Sequence, residues 1–96
     1  MISHDDFIFC IGYDGDTAIV DGMANKEFSR LSSAELAEKG LYRAAFASVL
    51  YSKNPEEMKA FIDLFNKKAG TQYTESSQLS RLFGVYLDEI SKVKVL

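Results

Sequence analysis

The dipeptide Asp14-Gly15, set between the apolar runs Phe7–Tyr13 and Thr17–Val20, constrains the fold of this chain more than any other feature. Asp-Gly between β-prone segments signals a two-residue hairpin, because the turn needs positive φ and glycine meets that demand without steric cost. Phe7-Ile8-Phe9-Cys10-Ile11-Gly12-Tyr13 is rich in β-branched and aromatic types and reads as the first strand. Thr17-Ala18-Ile19-Val20 reads as its return. A turn at Asp14-Gly15 would pair Tyr13 with Asp16, Ile11 with Ala18 and Phe9 with Val20. One face would then carry Phe7, Phe9, Ile11, Ala18 and Val20, and the other Ile8, Cys10, Thr17 and Ile19. A hairpin with one wet face alternates apolar and polar residues. This one is apolar on both faces, and Ile8, Cys10 and Ile19 become candidates for an interaction surface.

After the hairpin the pattern turns helical. Asp21-Gly22 is a second turn signal, and Lys26–Leu31 could return as a third strand with Phe28 and Leu31 as its contacts. Ser32-Ser33-Ala34-Glu35 is a capping box that opens a helix over 33–39, and Gly40 suits the left-handed residue that ends it. The segment 41–52 is apolar nearly all round, the mark of a central helix. Asn54-Pro55-Glu56-Glu57 starts a helix over 55–69. Asn54 caps, Pro55 takes the first turn, and the glutamates meet the positive end of the dipole. Gly70 stops it. A last helix is expected over 76–91, with Leu79, Leu82, Phe83, Tyr86, Leu87 and Ile90 inward and Gly84 in mid-helix. The tail Lys92-Val93-Lys94-Val95-Leu96 alternates polar and apolar residues. It could pair with the hairpin edge or fray. The expected fold is therefore α+β, an N-terminal antiparallel hairpin of two or three strands packed on three to four helices, in one domain over residues 1–96. Phe9, Ile11, Phe46, Leu50, Phe61, Phe65, Phe83 and Tyr86 are the expected centre of the core.

Charge narrows the function classes. The net charge is −3, which does not suit a dedicated binder of phosphate backbones. The charge is also uneven. Residues 1–25 carry Asp5, Asp6, Asp14, Asp16 and Asp21 and no Lys or Arg. The acidic start and the brevity of the run Phe7–Ile11 fit neither a signal peptide nor a membrane span. Cys10, the one cysteine, has no partner for an intramolecular disulfide, which fits a reducing compartment. A cytoplasmic protein without a membrane segment is expected.

Motifs of chemistry are sparse. The helix, glycine turn and helix over 33–52 share the layout of a helix-turn-helix, with Lys26, Arg30, Lys39 and Arg43 as candidate nucleic-acid contacts. The turn is one residue short, however, and the second helix offers only Arg43 and Ser48 to base edges. Asp14, Asp16 and Asp21 do not follow a calcium loop, because Ala18 and Val20 fall where oxygen ligands belong. His4 is the one histidine, so a zinc site with Cys10 would lack two strong ligands. His4 is expected to be a solvated terminal residue. No glycine loop cradles a phosphate. The chain thus reads as a non-catalytic protein–protein interaction or regulatory module, without metal or cofactor. Its partner would be an unidentified protein or, through the two-faced hairpin, a second copy in a homodimer. The alternative is a small nucleic-acid-associated regulator.

Overall fold

The computed structural model describes residues 3–28, 30–85 and 92–96. It is an α+β fold, as the sequence indicates, but its N-terminus departs from the expected hairpin. The chain enters through a short helix α1 (His4–Ile8), and only then forms strands β1 (Cys10–Asp14) and β2 (Thr17–Val20). Phe7 and Ile8 are therefore helical. Ser3 explains why: its Oγ accepts from Asp6 N at 3.3 Å and its carbonyl from Phe7 N at 2.9 Å. Asp5 and Asp6 fill the first turn, where negative charge is favoured. A local cap outweighs the β preference of two residues.

The hairpin is real, with its loop one residue later than expected and its pairing therefore displaced by two. Asp14 lies opposite Thr17, so the loop is Gly15-Asp16. Gly15 takes φ 62°, and glycine is needed as the first loop residue. Tyr13 then faces Ala18, and Cys10 faces Val20 across a bulge at Ile11. The bulge turns Ile11 out of the core, to 54% exposure. Ile11 was expected at the core's centre, and the bulge is the reason it is not there, since a pairing shift of two residues alone would keep it on the face of Tyr13 and Ala18.

Of the segment 26–31, read as a possible third strand, Lys26–Phe28 lies in helix α2 (Gly22–Phe28). Asp21 Oδ1 accepts from Met23 N and Ala24 N, both at 3.1 Å, so Asp21 caps a helix instead of turning a hairpin. Asn25 Nδ2 donates to Asp6 Oδ1 at 3.0 Å and ties α2 to α1. The third strand comes from the tail. β3 (Lys92–Val95) lies parallel to β2, and the sheet order is β1-β2-β3. The sheet is thus mixed.

The later helices follow their caps. α3 (Ser33–Glu38) has the full Ser32–Glu35 capping box. α4 (Tyr42–Ser52) is buried from Ala44 to Val49, because α1, α3, α5 and α6 all pack on it. α5 (Pro55–Ala69) starts on Asn54 Oδ1, which accepts from Glu56 N and Glu57 N, and ends at Gly70 with φ 70°. α6 (Ser76–Phe83) stops at Gly84, whose φ of 67° makes it the C-terminal cap and not a mid-helix residue. Leu82, expected inward, is exposed. The rest of the helix expected to 91, with Tyr86, Leu87 and Ile90, lies outside the described residues.

The core has two joined parts. Phe7, Ile8, Cys10, Ala18 and Val20 bury α1 and one sheet face. Phe46, Phe61, Phe65 and Phe83 form an aromatic cluster between α4, α5 and α6, with ring centroids 5.4–6.0 Å apart. Leu50 and Phe83 pack on this core from partly exposed positions.

Candidate interaction surface

Of the three residues expected to form an apolar face, Ile8 and Cys10 are buried inside the chain, at 2% and 1% exposure. Ile19 is half-buried on the sheet face away from the helices, opposite Gly12. The expected second apolar face does not form. Its premise was a strand from Phe7 to Tyr13, and α1 uses Phe7 and Ile8 to cover α4 instead. The argument for a homodimer rested on that face and goes with it.

What the fold does leave open is a groove that periodicity alone could not reveal. Phe9, Cys10 and Ile11, Ala24 and Phe28 of α2, and Leu41 and Tyr42 at the α3–α4 turn line a cavity of about 290 Å³. Gly40, at φ 80°, makes the tight turn that brings α4 back against α3 and sets Leu41 and Tyr42 in this wall. Cys10 contributes to the lining and is itself buried, with Sγ donating to Gly12 O at 3.1 Å.

Two charged residues border the groove, and both are engaged in structure. Asp21 Oδ1 holds the start of α2. Arg43 Nε donates to Phe83 O at 2.9 Å and closes the end of α6. A catalytic pocket needs polar groups converging on one point in space. Here the lining is apolar, and its charged groups point their hydrogen bonds at backbone.

The candidate nucleic-acid contacts do not share one helix face. Lys26 is exposed on α2, Arg30 in the following loop, and Lys39 at the end of α3. Arg43 is half-buried and tied to Phe83. The helix that would read a groove, α4, is the most enclosed element, and Ser48 on it is buried.

His4, expected to be a solvated terminal residue, keeps 40% of its side chain open to solvent but is held by contacts. Its Nε2 lies 3.0 Å from Ser48 Oγ, its Nδ1 lies 3.2 Å from Asp5 Oδ1, and its ring meets Tyr51 edge-on at 5.4 Å. Asp5, His4 and Ser48 thus have the connectivity of a nucleophilic triad. The surroundings do not suit one. Ser48 sits beneath the histidine where α1 packs directly on α4, so a substrate carbonyl has no approach to its oxygen. The cluster is a clasp between two helices. No sequence signal links two residues 44 positions apart.

Among the described residues no three His, Cys, Asp or Glu side chains gather as metal ligands, and no helix is long and apolar enough to cross a membrane. No family model, curated protein or solved structure matches this chain.

Proposed function

We propose that this chain is a non-catalytic protein–protein interaction module that takes an apolar side chain of its partner in the groove between β1, α2 and the α3–α4 turn. The observation that carries the reading is the groove's lining. It is apolar, it is open at exposed Ile11, and Asp21 and Arg43 beside it are already bonded. Such a site recognises shape and apolar area, which is how an interface anchor binds. The single buried cysteine supports a reducing, cytoplasmic setting.

Site-specific photocrosslinking tests the reading. A photoreactive residue at Phe28 in the groove should trap one protein in its native cells. The same residue at Lys67, exposed on α5, should not. Ile11→Asp, a change at an already exposed position, should abolish the adduct without lowering the melting temperature. Trapping that ignores Ile11→Asp, or equal trapping from Lys67, would overturn the proposal. A salt-dependent shift of random duplex DNA at micromolar protein would favour the nucleic-acid alternative, through Lys26, Arg30 and Lys39.

A further inference from the structure

The outer edge of the sheet carries a second surface with a chemistry of its own. β3 pairs in parallel with β2, placing Lys92 beside Thr17, Val93 beside Ala18, Lys94 beside Ile19 and Val95 beside Val20. Lys92 N donates to Asp16 O at 3.3 Å and Leu96 N to Val20 O at 3.0 Å. Alternate residues of a parallel strand bond the same neighbour, so the even positions face β2 and the odd ones turn their N–H and C=O outward. Val93 and Val95 therefore present their backbone groups on the side away from β2.

The side chains of β3 sort with equal regularity. Val93 and Val95 lie on the sheet face of buried Ala18 and Val20, yet they are 38% and 56% exposed. The start of α2, at Gly22, lies beside Val95 Cγ1, and both valines still keep more than a third of their surface open. Lys92 and Lys94 lie on the other face, exposed, and neither forms an ion pair with a described residue. An incoming strand would meet valines on one face and unpaired ammonium groups on the other.

We infer that β3 is a docking edge for an extended peptide segment in which acidic and aliphatic residues alternate. The added strand would take its backbone bonds from Val93 and Val95, set its carboxylates against Lys92 and Lys94, and extend the apolar floor with its aliphatic residues. A second copy of this chain is the wrong occupant. Any register of β3 on its own copy that sets valine against valine also sets lysine against lysine. Any other register sets lysine against valine. Edge lysines discourage such self-pairing, and the same charges select an acidic partner. This inference rests on the reading of the chain as an interaction module, though not on the groove.

The test is titration of a labelled peptide of alternating Glu and Val into the intact protein, read by anisotropy and by residue-resolved amide exchange. Saturating peptide should slow exchange at Val93 and Val95 at least tenfold. Lys92→Glu/Lys94→Glu should weaken binding at least tenfold. Val93→Pro, which removes an outward donor and no donor to β2, should do the same. No saturable binding overturns the inference. So does binding without protection at Val93 and Val95, or equal binding of a scrambled acidic peptide, the Lys-Val counterpart or RNA. Crosslinking from Phe28 is unaffected by all of these outcomes, so the groove and the edge fail separately.

Discussion

The His4 imidazole reaches from α1 to Ser48 on the buried side of α4 and leaves neither group unpaired. A part-buried hydrogen bond of this kind contributes about 1 kcal/mol, and leaving the buried Ser48 hydroxyl without its partner costs more. His4→Ala and Ser48→Ala should each destabilise the fold. A double-mutant cycle in denaturant should find coupling of about 1 kcal/mol between them. Coupling near zero would make the contact incidental. Phe65 has the opposite character, since its contacts are entirely apolar: its ring meets those of Tyr42, Phe61, Tyr73 and Phe83. Phe65→Ala should cost about 3–5 kcal/mol by chemical denaturation, a large share of what a chain of this size has. The Cys10 thiol is enclosed, so a thiol reagent should modify it at the rate of unfolding, and fast modification of the native protein would show an open core. Phe65 was legible as core from its helical stripe. The partner of His4 was not, because nothing local in the sequence fixes a contact between distant helices.

At the scale of elements, capping chemistry separates what could be read from what could not. α3 and α5 stand where their signals put them, because Ser32-Glu35 and Asn54-Pro55 satisfy orphan backbone groups within a few residues. α1 has a cap of the same kind in Ser3, but Phe7-Ile8 after it has strand composition. A five-residue helix offers too little period to outvote that. Gly84 was masked in the same way, by an apolar pattern that runs on past it. Its φ of 67° makes a firm expectation: Gly84→Ala should destabilise by about 1 kcal/mol, where a mid-helix glycine would be stabilised by alanine. Gly22 sits where α2 meets the end of β3, and a Cβ there would lie 2.7 Å from Leu96 O and 2.8 Å from Val95 Cγ1. Gly22→Ala should therefore release the end of β3. Faster amide exchange at Leu96, with β1–β2 exchange unchanged, is the expected result.

For the whole molecule, the apolar residues that seemed surplus in a two-faced hairpin are consumed by α1 and its seat on α4. Among the described residues, open apolar surface includes a groove on one side of α2 and the outer edge of β3, besides the exposed side chains of Met23 and Leu82. The groove draws on residues of β1, α2 and α4 and on the turns between elements, so only the three-dimensional arrangement assembles it. Neither surface complements itself, and sedimentation at tens of micromolar should return the mass of a single chain. The direct test of the interaction reading is calorimetry of the protein trapped at Phe28, purified and titrated against this chain and against Ile11→Asp. One-to-one binding with a negative heat-capacity change is expected, because apolar area leaves water, and Ile11→Asp should weaken it at least tenfold. Equal affinity for both chains would contradict the account.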